Sequence, residues 1–526
     1  MSRSAVGKRA MVVSPHYLAS EAGAEILRRG GNAFDAAVAV SACLGVVYPH
    51  MTGLGGDCFW LTYRAGEGRV RAYNGSGRSG GAVDRDCFAG MAAIPHRGAR
   101  SAITVPGMVD GWAAVQGDYG RLTLAEALEP AIRHASAGFP LSPDQHFFTA
   151  KCKDMLAEYA ETAAIYLPRG EVPATGDRFV QRELAATLRA VAEGGREAFY
   201  EGAIAREIVA ALRHAGGLLS EADFAAHRGG WEAPVRGDYR GYALYQAPPN
   251  SQGFAGIMAL QALERFDPAS TPHGSYAYYH RMIEAIKLAF IDRNRELTDP
   301  DFHSLPLSRL LSQAYADDLA GRIDPSRALD FDSPPAGSDT AYAAVVDEEG
   351  NAVSFIQSLY FEFGSGFTAG KTGVLLQNRG SFFSLDPAHV NSLEPNKRTF
   401  HTLMPAMACL DGKPRFLYGT QGGEGQPQTQ TAIFTRMADY GMAPHEAVAE
   451  PRWLWGRTWG EASRELKLES RIDKETVRRL AEAGHDVRVV DAYDYRMGHA
   501  HAISIDGDGI RRGGTDPRCD GAAVGW

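Results

Sequence analysis

Apolar and polar residues alternate along this chain with two different periods, and the two interleave from end to end. Stretches with helical spacing fall at 20–29, Ala33–Val47, Met108–Tyr119, 254–265, 276–293 and 429–440, and an interrupted helical region covers 124–212. Ala33–Val47 is rich in Ala and Val, which predicts a buried helix. Asn32 supplies its N-cap and Pro49 stops it. Over 20–29, Ser20 is the predicted N-cap and Gly30-Gly31 the stop. Strand-like runs fall at 58–63, 234–245, 340–346, 352–360, 374–378, 401–409 and 415–419. Residues 65–105 read as loops and short strands. No repeat of fixed period and no low-complexity tract interrupts the mixture.

One strand is set apart by what precedes it. Ser333-Pro334-Pro335-Ala336-Gly337-Ser338-Asp339 is poor material for a helix interior or a central strand, and predicts an exposed linker. Thr340 then opens a strand-like run. The turn cluster Asp347-Glu348-Glu349-Gly350-Asn351 follows, and Ala352–Tyr360 returns, which is a hairpin signal. A Thr at the head of a strand, directly after a cleavable linker, is where an N-terminal nucleophile stands. On local grounds alone the ordinary reading, a β-branched strand residue, outweighs the nucleophile.

Two glycine loops could bring backbone close to a ligand: Thr52-Gly53-Leu54-Gly55-Gly56-Asp57 and the stretch 419–427. In the second, Gly422-Gly423 stands at a helix entrance, where backbone N–H groups can hold an anion or a developing oxyanion. A tight strand-to-helix turn is the alternative. Residues 365–372 end like a phosphate loop, but Ser365 stands where that motif needs Gly and a strand-like run follows. His499 and His501 share a strand face as metal ligands do, with no third ligand at a metal spacing. No metal and no cofactor are expected.

Composition narrows the class. With 526 residues, 45% of them apolar, the chain can bury a large core. A net charge of −9 without a long basic run argues against a nucleic-acid partner. The cysteines (Cys43, Cys58, Cys87, Cys152, Cys409, Cys519) form no paired motif and suit a reducing compartment. The first residues lack the apolar centre of a secretory signal, and the longest apolar stretch, 36–48, is too short for a bilayer. The expectation is a cytoplasmic protein with no membrane partner.

Several segments, in order along nearly the whole chain, resemble the γ-glutamyltranspeptidase superfamily of N-terminal nucleophile hydrolases. They are Gly30-Gly31-Asn32-Ala33-Phe34-Asp35-Ala36, Thr52-Gly53-Leu54-Gly55-Gly56-Asp57, Val105-Pro106-Gly107, Gly237-Asp238-Tyr239-Arg240-Gly241, Pro395-Asn396-Lys397-Arg398 and Thr515-Asp516-Pro517-Arg518. The resemblance implies an α+β fold, a four-layer αββα sandwich, and a proenzyme that cuts itself between Asp339 and Thr340. The products would be a large chain, 1–339, and a small chain, 340–526, intertwined in one catalytic domain. Whether such pairs dimerise is left open. The family's pattern around its nucleophilic Thr lands on Thr340 to Val353, and Asn351 fits it. Thr340 would attack, with the new α-amino group as base, since its reference pKa of about 7.7–8.0 suits neutral pH. Gly422 and Gly423 match the oxyanion pair. Ser358 stands where the family has a Thr that touches the nucleophile.

The substrate pocket departs from the true transpeptidases. Their carboxylate-binding Arg falls near Ser76, with Arg78 two residues off. Tyr360 replaces an Asn, Arg379 and Phe382 replace the Gln and Asp that hold the glutamyl amino group, and His401-Thr402 replaces a Ser pair. Losing the acid weakens α-amino recognition, and gaining Arg379 favours a carboxylate without that amine. Residues 378–383 and 422–428 look more like the oxamate amidohydrolase and cephalosporin-acylase-like branch. The expected function is hydrolysis of a small carboxylate-bearing amide, such as oxamate, through a Thr acyl-enzyme. A γ-glutamyltransferase or glutathione hydrolase is one alternative. A non-catalytic, uncleaved binding protein of the same fold is the other.

Overall fold

The structure, a computed structural model, describes residues 4–331, 339–456 and 463–526. Most of the predicted linker at 333–339 lies outside the described residues. Two seven-stranded sheets, antiparallel throughout, form the centre among those residues. One runs in the order Ala5–Gly7, Arg511–Thr515, Ala500–Ile505, Lys413–Thr420, Ala406–Leu410, Tyr242–Gln246, Val235–Tyr239. The other runs Ala522–Gly525, Met11–Ser14, Asp339–Val346, Ala352–Tyr360, Asp57–Arg64, Arg69–Gly75, Gly230–Glu232.

The strand Asp339–Val346 shows how the layers arise. Successive side chains point to opposite faces. Tyr342, Ala344 and Val346 enter a cluster with Phe59, Ile356, Met407, Leu417 and Ile503, which come from both sheets, so this face is the seam between them. Ala341, Ala343 and Val345 instead join the helices Tyr17–Arg28, Ala33–Val47 and Met108–Tyr119 on the outer side. The other sheet turns Leu244, Ala406, Phe416 and Ala502 to the helices Gly253–Leu263, Tyr276–Glu296 and Gly425–Ala438. The result is the four-layer αββα sandwich. Because both faces of the central strands are covered, they are apolar almost throughout. Truncating the fully buried Ile356 to Ala would cost about 2–5 kcal/mol.

The helix Ala33–Val47 has the predicted bounds, and Asn32 builds a capping box there. Its Oδ1 accepts from the Phe34 and Asp35 N–H groups, and Asp35 Oδ2 accepts from the Asn32 N–H at 2.7 Å. Three expectations need correction. The first helix begins at Tyr17, because His16 Nδ1 accepts from the Leu18 N–H at 3.2 Å, and Ser20 lies inside it. The strand expected from 401 starts only at Ala406, since Pro405 has no N–H to pair. Residues 374–378 make single bridges, Leu375 to Thr368 and Leu376 to Gly55, rather than a strand.

Candidate active site

Thr340 is fully buried at the head of its strand. Asp339 pairs with Tyr360 and Ala341 with Gln357, so Ser358 and Leu359 together face Thr340. This bulge takes one residue out of the regular ladder, a common device beside active sites. Gly56 backs the same spot, where any Cβ would lie 2.2 Å from the Ser358 carbonyl oxygen. Ser358 Oγ accepts from the Tyr360 N–H at 2.7 Å. Across the seam, Gln426 Nε2 lies 3.5 Å from Thr340 Oγ1.

Gln426 belongs to the helix Gly425–Ala438, which begins earlier than the expected 429 and directly after the glycine pair. Gly422 and Gly423 have φ of +124° and +52°, a region that side chains disfavour. The Gly422 carbonyl accepts from the Gly425 N–H at 2.7 Å. In a trans peptide the C=O and N–H point opposite ways. Tying that carbonyl into the helix therefore turns the Gly423 N–H outward, at the helix's positive end. The Gly423 carbonyl accepts from Gln252 Nε2 at 3.1 Å, and Gln252 Nε2 also donates to the Thr402 carbonyl at 2.9 Å. Gln252 thus ties the glycine loop to the stretch that carries His401 and Thr402.

On the near side of that stretch lies Arg379, in the turn Arg379–Phe382, without solvent exposure. Its guanidinium lies 4.1 Å from the Tyr360 ring centroid, and Nη1 is 3.4 Å from Thr402 Oγ1. Nε and Nη2 meet no hydrogen-bond partner among the described residues. Burial pulls its pKa down to about 10, against the opposing pull of Tyr360 and Asp57. Phe382 stands edge-on to Tyr360 and to Phe400. Tyr360 itself has φ +88°, a strained setting for a side chain and of the kind found at functional sites.

His401 is engaged by Asp57. Its Nε2 lies 3.1 Å from Asp57 Oδ2, while the Leu403 N–H reaches its Nδ1 at 3.4 Å, so Nε2 carries the proton. Burial, then the charge of Arg379, holds the imidazole neutral, well below its usual range. Asp57 Oδ1 accepts from Gln377 Nε2 and the Gly77 and Gly107 N–H groups. Burial nonetheless raises Asp57 to about 7. Sequence reasoning gave no role to Asp57, Gln252, Arg293, Glu424 or Gln426. The signals were the two glycine loops, one ending at Asp57 and one, 419–427, containing Glu424 and Gln426; Gln252 and Arg293 had none.

Other candidates find different employment. Asn351 holds its turn through Asp347 and the Ala65 N–H. Arg78 is engaged by Asp299 and Asp301, and Ser76 Oγ bonds Asn74. Gly370–Thr372 is one tight turn with no helix after it. His499 Nδ1 meets the Tyr48 hydroxyl at 2.8 Å. Among the described residues, His280, Glu284 and His485 gather as metal ligands would. The Lys287 ammonium, 2.9 Å from Glu284 Oε1, already supplies a cation there.

This four-layer sandwich is the architecture of the N-terminal nucleophile hydrolases, enzymes that cut amide C–N bonds. Comparison with known proteins is specific: the family model described as Gamma-glutamyltranspeptidase matches residues 19–526, and the chain belongs to that family. It is 61% identical to the glutathione hydrolase-like YwrD proenzyme of Bacillus subtilis over the full length of both. It is 40% identical to the oxamate amidohydrolase proenzyme of Klebsiella pneumoniae, again over both full lengths. The crystal structure of cephalosporin acylase from Bacillus halodurans matches with a TM-score of 0.93 at 35% identity, covering 100% of this chain and 97% of that one. The chain is thus an amide hydrolase of the oxamate amidohydrolase and cephalosporin-acylase-like branch. No helix among the described residues is long and apolar enough to cross a membrane.

Proposed function

We propose that the chain cuts itself between Asp339 and Thr340 and then hydrolyses a small carboxylate-bearing amide of which oxamate is the model. The observation that carries this reading is Arg379, buried beside Tyr360 and Thr402 with two guanidinium nitrogens that meet no hydrogen-bond partner among the described residues. A carboxylate accepting from both would satisfy them with charge-assisted bonds. Thr340 Oγ attacks the neighbouring carbonyl, and the Thr340 α-amino group freed by cleavage takes the proton. The Gly422 and Gly423 N–H groups face the oxyanion. The ammonium so formed at Thr340 gives that proton to the leaving nitrogen, the C–N bond breaks, ammonia leaves, and water deprotonated by the same amine releases the acid. Before cleavage the Thr340 nitrogen is an amide and no base, so processing switches the enzyme on. The relatives named as proenzymes support this order.

A γ-glutamyl substrate is the second reading, favoured by the name of the 61% identical relative. The engaged Arg78 and the Phe382 wall weigh against it. Intact mass with N-terminal sequencing is the first test, and a small chain beginning at Thr340 is expected. Ammonia release from oxamate is then set against release from a γ-glutamyl anilide. Turnover of the anilide alone would hand the site to the second reading, and a single uncleaved, inert chain would leave a binding protein. Thr340→Ala should abolish both cleavage and turnover.

A further inference from the structure

We propose that Arg293 is a positioning residue for the oxyanion loop, acting through Glu424 and Gln252. The inference rests on the reading of Gly422-Gly423 given above. Arg293 lies on the helix Tyr276–Glu296, on the large-chain side of the proposed cut, and is fully buried. Its Nη2 donates to Glu424 Oε1 at 2.6 Å and its Nη1 to Gln252 Oε1 at 2.8 Å. Gln252 passes the restraint on by donating to the Gly423 carbonyl at 3.1 Å. Glu424 is the residue after the glycine pair, so both arms of the arginine end on the loop.

The charge of Glu424 gives the arrangement a second purpose. Glu424 is the N-cap residue of the helix Gly425–Ala438, and its side chain makes no capping hydrogen bond. A negative charge beside a helix N-terminus is ordinarily held by the positive end of the helix. There it would compete with an oxyanion for the same field. Arg293 draws the carboxylate away and neutralises it, which leaves the helix end open to the charge that develops on the substrate oxygen.

The test compares kcat with KM for Arg293→Met, Arg293→Met/Glu424→Gln and Thr340→Ala, with folding checked by circular dichroism and kcat normalised to the cleaved fraction. Arg293→Met is expected to lose about 100-fold in kcat with KM within about threefold. Adding Glu424→Gln removes the carboxylate charge that Arg293 balances and should restore about tenfold. A kcat within about threefold of wild type, or a loss carried by KM alone, overturns the proposal. A double variant no faster than the single one removes its electrostatic half. Should Arg293→Met fail to fold or mature, Arg293→Lys and Gln252→Leu, which keep a cation opposite Glu424, are judged by the same split. Turnover that survives Thr340→Ala would sink the site reading itself. Turnover lost there but kept in Arg293→Met sinks only the positioning role.

Discussion

Arg293 and Arg379 are both sealed from solvent, and the molecule treats them in opposite ways. Arg293 has an acceptor on every nitrogen: Glu424, Gln252 and Asn294, with the Phe290 ring 3.7 Å beneath. Arg379 has a ring face and one long contact to a hydroxyl. Asp57 acts on it through space, Arg379 makes no ion pair among the described residues, and Asp57 is itself raised to about 7. The fully buried Arg518, which meets Asp516 and Glu469, follows the pattern of Arg293. Taking a guanidinium out of water is expensive unless a counterion meets it. A buried arginine that brings its counterion belongs to the fold, and so does Arg436, whose Nη1 and Nη2 donate to the Ala447 and Pro451 carbonyls; Arg379 has neither arrangement among the described residues, and that is what the proposed carboxylate would supply.

The contrast breaks most sharply if each arginine is replaced by Met. Two charge-assisted hydrogen bonds to a carboxylate are worth about 1.5–3 kcal/mol each. Arg379→Met should therefore lower kcat/KM on oxamate by about 10²–10⁴, and leave the urea midpoint unchanged or higher. Oxamide, with no carboxylate, should lose nothing comparable. Arg293→Met should do the reverse to the fold and lose about 3–5 kcal/mol of stability, because it breaks the buried ion pair with Glu424. Equal destabilisation by the two variants would erase the distinction between them.

A smaller effect follows from Asp57. Above pH 7 its carboxylate is charged and offsets the field of Arg379, and below pH 7 it is neutral. KM for a carboxylate-bearing amide should therefore rise by about three- to tenfold between pH 6 and pH 8. Asp57→Asn should flatten that rise. The kcat profile has another origin, the α-amino base, and should climb near its reference value of about 7.7–8.0. A KM profile equally steep in Asp57→Asn would separate Asp57 from the pocket.

What the sequence disclosed follows from the range over which each feature is built. The helix Ala33–Val47 is local: a run rich in Ala and Val, a capping Asn32 and a stopping Pro49. His16 was overlooked as a cap because its ring nitrogen does what Ser or Asp usually does. The run 374–378 has strand composition, but a strand needs a continuous partner, and it finds only single bridges. Arg379, Tyr360 and Thr402 came into view through family resemblance, and the geometry unites them. Asp57 meets His401 across 344 residues and Gln252 meets Gly423 across 171, distances at which no spacing rule operates. Support for a site is assembled by the fold, and periodicity along the chain carries no trace of it.

The finest test of the comparison lies at Tyr360. A cation over an aromatic face contributes about 0.5–2 kcal/mol, more when desolvated. Tyr360→Leu should thus raise KM for oxamate by roughly two- to thirtyfold, while Tyr360→Phe, which keeps the ring, should stay within about twofold. Both replacements bear a side chain at φ +88°, so backbone strain is common to them and drops out of the difference. If Tyr360→Phe instead lost as much as Tyr360→Leu, the hydroxyl rather than the ring face would be what supports Arg379. Arg379 would then be a partnered arginine of the same kind as Arg293, and its claim on a substrate carboxylate would fall with the contrast.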